Sequence, residues 1–162
     1  DKKAFLLFRI QDSIATLEDS SSNIYKDRKD YVGLNTEGFI KKENGMPILK
    51  TRIRMEQSPI EKTYTHYYDY YDIEKKKFVL KALILDEKYD SVTNKTHRIE
   101  VDIRDYMADI KYKNGYPVLQ YTKFTSESKE DEVSSSEDDK KVIETGEFRM
   151  KNGKYQKIKT NE

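Results

Sequence analysis

The chain has no cysteine, which excludes disulfides, thiolate metal ligands and a thiol nucleophile. It has only two histidines, His66 and His97, and that scarcity removes most schemes in which imidazole serves as base or ligand. No stretch approaches the roughly 18–20 consecutive apolar residues of a membrane-crossing helix, and no signal-peptide pattern is visible. Neither sign of charge dominates, with 31 Lys and Arg against 30 Asp and Glu. There is no basic field for a phosphate backbone, and nucleic-acid binding is not expected. The P-loop and the dinucleotide glycine fingerprint are both missing, and Asp69 and Asp72 beside tyrosines are too few ligands for a metal. Neither cofactor nor metal is expected.

At 162 residues the chain suits a single domain, 1–162. Its most distinctive stretch is Thr63–Tyr71, almost wholly aromatic and β-branched, the composition of a pleated, half-buried strand. Alternation places Tyr64, His66, Tyr68 and Tyr70 on one face and Tyr67, Asp69 and Tyr71 on the other. After Glu74-Lys75-Lys76-Lys77, both faces of the next run are largely apolar. Phe78, Leu80, Ala82 and Ile84 alternate with Val79, Lys81, Leu83 and Leu85, which describes a central strand covered on each side. In the following run Ile99, Val101 and Ile103 form a core face, while Arg98, Glu100, Asp102 and Arg104 face water.

Between Ala4 and Tyr25, Leu6, Ile10, Ile14, Leu17 and Ile24 recur at helical spacing, and the pattern predicts an amphipathic helix over 1–27, or a strand for Phe5–Ile10 alone. From Tyr31 the signals are those of strands, near 31–42, 46–56, 63–73, 77–86, 97–104, 107–113, 116–125, 142–151 and 154–159, with links short enough for an antiparallel meander. Asn44-Gly45, Asn114-Gly115 and Asn152-Gly153 have the chemistry of type I′ hairpins. Pro47 and Pro117 mark strand starts with no donor for a third strand. The acidic, serine-rich segment 126–141 reads as an exposed loop.

The fold expected is α+β: an N-terminal amphipathic helix packed on a long, curved, mostly antiparallel sheet over 31–159. Small cystatin-like and NTF2-like folds share that order of elements. The strand number exceeds theirs, which makes a lipocalin-like β-barrel with a flanking helix the alternative.

For function, five tyrosines within 64–71 point to recognition, because tyrosine joins a large contact area to a hydrogen-bonding tip. The first reading is a non-enzymatic exported or cell-surface bacterial domain that binds a protein or glycan through Tyr64, His66, Tyr67, Tyr68, Tyr70 and Tyr71. The second is a carrier of a small apolar ligand in a barrel cavity lined by Phe78, Leu80, Ile84, Ile99 and Val101. The third is an enzyme using His66, although sequence assigns it neither a serine nor a carboxylate partner. A cysteine-free, Lys-, Tyr-, Asn- and Ile-rich chain opening on Asp1-Lys2-Lys3 looks like the mature part of an exported protein. It would be extracellular or attached to the cell envelope, with room for a lipid anchor upstream of Asp1; a cytoplasmic location is the alternative.

Overall fold

The structure is a computed structural model describing residues 4–27, 31–58, 63–105, 109–129 and 140–160. In chain order its elements are β1 (Leu6–Gln11), β2 (Ile14–Ser20), α1 (Ser21–Ile24), β3 (Gly33–Ile40), β4 (Ile48–Ser58), β5 (Thr63–Asp72), β6 (Lys77–Asp90), β7 (Lys95–Arg104), β8 (Tyr112–Lys113), β9 (Tyr116–Pro117), β10 (Leu119–Lys129), β11 (Lys141–Lys151) and β12 (Lys154–Lys159). Eight strands form one sheet in the order β12-β11-β10-β7-β6-β5-β4-β3. Every pairing in it is antiparallel. The meander is interrupted only where the small β8–β9 hairpin enters between β7 and β10.

The expectation of an α+β fold with an N-terminal helix is corrected: the described residues are almost entirely β, with no helix of seven or more residues. The lipocalin-like barrel flanked by a helix falls with it. Residues 6–20 form the β1–β2 hairpin. Asp12 and Ser13 make its turn with φ of 50° and 64°, the two left-handed residues of a type I′ connection. The stripe collected by helical spacing was not a core face. Leu6, Ile10, Ile14 and Leu17 are 55–76% exposed, whereas the hairpin buries Leu7 and Asp19. Leu6, Phe8 and Ile10 also satisfy a period of two, and over so short a segment the strand period won. Among the described residues helix remains only as the four residues of α1, capped by the Ser20 side chain.

The N-terminal segment covers one face of the first half of the sheet, here called outer. Leu7, Ile24 and Tyr25 pack with Leu34, Leu49, Ile53, Tyr71 and Ile73. Tyr25 stands 5.4 Å from Phe78 and 5.7 Å from Tyr31, ring to ring. A polar tie fixes the hairpin: the Tyr71 hydroxyl donates to Asp19 at 2.9 Å, and Asn23 donates to the same carboxylate at 2.7 Å. The inner face packs against the second half of the sheet. Ile48, Tyr70, Val79, Ala82 and Ile84 meet Ile103, Leu119, Tyr121, Phe148, Met150 and Tyr155 in a second core. The sheet therefore curls over itself.

Two bulges in β6 produce this curl. Strict alternation would send Val79 away from Leu80, and Leu85 away from Ile84. In the structure Val79 and Ile84 are the extra residues of bulges opposite Tyr70–Tyr71 and His66–Tyr67, and both are buried in the inner core. Bulges bend a strand and increase its twist. Accordingly the β6–β7 ladder runs only from Asp90 and Lys95 to Leu85 and Glu100, although both strands continue beyond it, and β6 also comes up against β12.

One end of the curl is closed by a buried polar cluster. The carboxylate of Asp72, fully buried, accepts from the Tyr116 hydroxyl and lies 3.4 Å from the Lys42 ammonium. Lys42 also reaches Glu74 at 2.8 Å. Main-chain and side-chain bonds from Glu43 to Gly115 and from Asn114 to Met150 lock the same end. Asn114-Gly115 and Asn152-Gly153 have the positive φ pair expected of type I′ turns. At Asn44-Gly45 only the glycine does, within a seven-residue connection from 41 to 47 that serves this cluster. Pro117 lies in the isolated two-stranded β8–β9 hairpin, and Pro47 sits just before β4, whose pairing on both sides begins at Ile48. The part of the expected acidic loop from 130 to 139 lies outside the described residues, while 126–129 belong to β10.

Two stability predictions follow from these contacts. A Cβ at Gly146 would collide with the Ile158 carbonyl oxygen and sit 2.6 Å from the Tyr121 hydroxyl, so Gly146→Ala is expected to lower unfolding stability by about 1–3 kcal/mol in denaturant titration. Burial works against the Asp72 carboxylate, but the Tyr116 hydroxyl, the Lys75 amide and Lys42 outweigh it and hold its pKa below the ordinary 3.8. The stability this confers is present above that ordinary value and is lost as pH falls through the depressed one. Tyr116→Phe, leaving a buried acceptor short, is expected to cost about 1–3 kcal/mol near neutrality and to move acid unfolding to higher pH.

Candidate functional site

The tyrosine strand is β5, in the middle of the first half of the sheet, so its side chains divide between two covered faces. Tyr71 goes to the outer core and Tyr70 to the inner, and both are buried. Tyr67, on the outer side, is half-buried under the Lys81 ammonium, 4.4 Å from its ring centre. Tyr64, His66 and Tyr68 are half-buried on the inner side. The six residues expected as one recognition surface are thus not one surface. What the strand does bring together is Tyr68 and His66 with the residues opposite them on β4. The register sets Lys50 against Tyr70, Arg52 against Tyr68 and Arg54 against His66.

Of these groups, Arg52 and Tyr68 line a cleft that opens where β6 and β7 part, with a volume of about 660 Å³. Arg52 and Tyr68 form one wall, and Ile84 and Leu85 of β6 form its floor edge. The other wall is Glu100, Val101, Asp102 and Ile103 of β7, with Phe124 of β10 and Lys140 beside them. Of the five side chains expected to line a carrier cavity, Ile84 and Val101 reach this cleft, Leu80 packs against the inner core, Phe78 lies in the outer one, and Ile99 is half-buried where β7 pairs with both β6 and β10.

Tyr68 is held from behind. Lys50 stands 4.0 Å from its ring centre and pairs with Asp105 at 2.7 Å. Asp105 in turn accepts from the Tyr70 hydroxyl at 3.2 Å, and Tyr70 meets Tyr68 edge to face at 6.5 Å. All of Lys50, Tyr70 and Asp105 are buried. Burial and the Asp105 carboxylate push the Tyr70 hydroxyl well above its ordinary pKa, so it stays a donor. An aromatic ring fixed by such a supporting network is preorganised for contact.

Arg52 is half-buried, and its described partner is neutral: Nε and Nη2 lie 3.2 and 3.0 Å from His66 Nδ1. Nδ1 must therefore accept, which places the imidazole proton on Nε2. Burial first, then the charges of Arg52 and Arg54, depress the pKa of His66, with Glu87 opposing them. The histidine is thus a neutral acceptor that orients an arginine. Across the cleft, Glu100 is met by Lys140 at 2.5 Å and by Arg98 at 3.8 Å. His97 lies at the surface against Glu127, 3.1 Å away. Among the described residues no group of three or more histidines or carboxylates converges as a metal site would require.

Arg52 and Arg54 were not anticipated. The signal for them was present, since Leu49, Thr51, Ile53 and Met55 alternate with Lys50, Arg52 and Arg54 and so define a cationic face of β4. Comparison with protein-family models, with curated proteins and with solved structures finds no match.

The expected midpoint of the His66 imidazole in an NMR pH titration is below 6.5. Replacing Arg52 by Ala removes one cause and is expected to raise it. The associated stability is present above 6.5 and is lost as pH falls below it, because the unfolded chain then binds the proton more readily.

Proposed function

We propose that this protein is a non-catalytic binding domain of the bacterial exterior or cell surface, and that its protein or glycan partner binds in the cleft between β6 and β7. The observation that carries this reading is the preorganised Tyr68, one side of which is fixed by Lys50, Asp105 and Tyr70 while the residue lines an open cleft beside Arg52. An aromatic anchor and an arginine next to apolar walls form the composition on which binding energy concentrates. The supports for location are compositional: a cysteine-free chain rich in Lys, Tyr and Asn.

His66 supports recognition better than catalysis. Its Nδ1 is engaged by a guanidinium rather than by an orienting carboxylate, and its depressed pKa leaves it little protonated at neutral pH. The tyrosine-strand reading is retained in a narrower form, with Tyr68 as contact residue and Tyr70 and Tyr71 as supports.

The test is affinity capture from the native host with the wild type and two variants. Tyr68→Ala is expected to weaken retention of the partner at least tenfold. Tyr67→Ala, on the opposite face, is expected to leave it unchanged. Equal retention by wild type and Tyr68→Ala, with both folded, would refute the cleft as the site.

A further inference from the structure

We infer that the cleft takes an extended peptide segment and seats one of its acidic side chains against Arg52. The inference rests on the cleft being the binding site and adds the class of ligand. Two independent observations lead to it.

The first is the interrupted ladder. β6 continues as strand on the N-terminal side of Leu85, and β7 continues on the C-terminal side of Glu100, yet the pairing between them stops at those two residues. Beyond that point Ile84 on β6 and Val101–Ile103 on β7 line the opening with no ladder pairing between the two strands. A strand edge offers donors and acceptors at the spacing of an extended main chain, and adding a peptide strand to such an edge is an established mode of recognition. A sugar ring has no matching repeat, which favours a peptide.

The second is the distribution of charge. Among the described residues no carboxylate pairs with Arg52, and a half-buried cation without one is an exception to the usual pairing. Arg54 follows two positions later on the same face of β4, its guanidinium 5.0 Å from the Tyr64 ring. Neighbouring β3 brings Gly33 and Asn35 opposite these arginines and supplies no acid of its own there. Among the described residues two carboxylates line the cleft. Glu100 is compensated by Lys140 and Arg98, and Asp102 is exposed on the far wall. The open positive charge is therefore concentrated at Arg52, where the guanidinium fork, oriented by His66, suits a bidentate carboxylate.

The experiment uses an array of eight-residue β-forming peptides carrying Glu or its isostere Gln at each position, probed with the full chain. Glu peptides are expected to bind at least tenfold better than their Gln counterparts. That preference is expected to disappear in Arg52→Gln and to be reduced in Arg54→Gln, a substitution at an exposed site that keeps the fold. In solution a preferred peptide is expected to raise the His66 midpoint and to shift the amide signals of Ile84 and Val101. Equal binding of Glu and Gln peptides, or a preference that survives Arg52→Gln, would overturn the acidic seat. Binding of an oligogalacturonate with no peptide bound would overturn the peptide class. If those peptide results are negative while Tyr68→Ala still loses the host partner, the cleft stands and only this inference falls.

Discussion

Four hydrogen bonds from tyrosine hydroxyls to carboxylates hold this fold in its shape. Tyr70 donates to Asp105, Tyr71 to Asp19, Tyr116 to Asp72 and Tyr121 to Glu144, across 35, 52, 44 and 23 residues of sequence. Three of them join parts of the chain that ladder pairing alone leaves apart: the N-terminal hairpin to the outer face, the β8–β9 hairpin to the β5 end, and β5 to the residue that follows β7; the fourth, Tyr121 to Glu144, braces the paired strands β10 and β11. Bonds to a charged acceptor are worth about 1.5–3 kcal/mol net, against about 1 for a neutral pair. The carboxylates keep the hydroxyls protonated. Tyr116 and Tyr121 are both pushed up to about 12, by burial and then by their acid partners. Glu144 is held down to about 2 by Lys157 and Lys159 as well as by Tyr121.

The departure of β6 from β7 is the second constraint, and its balance can be judged from magnitudes. Ending the ladder at Leu85 gives up several backbone bonds, each worth about 0.5–1.5 kcal/mol net. The bulges that accompany it turn Val79 and Ile84 into the inner core, and burying an aliphatic side chain of that size contributes about 1.5–3 kcal/mol. Closure of the curl also buries Ile103, Leu119, Tyr121 and Phe148. Burial therefore outweighs the lost ladder, and the cleft is a by-product of a favourable packing rather than a defect in it. The ionic groups at either side of that packing are paired, as Lys42 with Asp72 and Lys50 with Asp105. A buried pair contributes little net energy compared with apolar groups of the same shape, but losing one partner is costly, so these pairs restrict how the two halves can meet.

Much of this was legible in the residues. Strands β3 to β7 and β10 to β12 lie where composition and alternation put them, because each is long enough for a period of two to be read. Two kinds of feature were not legible. In the N-terminal segment, apolar residues at 6, 10, 14 and 17 fit a helix while 6, 8 and 10 fit a strand, and the decision rested on the left-handed turn at Asp12-Ser13, a dipeptide with weaker turn chemistry than Asn-Gly. In β6, assigning faces by parity fails after a bulge, since one extra residue reverses every later side chain. The site suffered for the same reason. Tyrosine density marked the correct strand, but the division of its residues between recognition and support depended on which acids the fold would bring to them, and those come from distant segments.

That division gives tyrosine its meaning here. A phenylalanine would fill the places of Tyr70, Tyr71 and Tyr116 equally well by volume, but it would leave Asp105, Asp19 and Asp72 as buried acceptors deprived of a donor, and the hydroxyl is what makes those positions specific. Tyr68 differs. Among the described residues no carboxylate accepts from its hydroxyl; its ring is gripped instead by Lys50 on one side and Tyr70 at its edge. The network thus uses the apolar part of this residue for support, and among the described residues none holds its hydroxyl, in a cleft that Arg52 also lines. Burial of the ring and freedom of the tip are what an interface anchor combines, and in β5 they coincide at the position facing the break between β6 and β7.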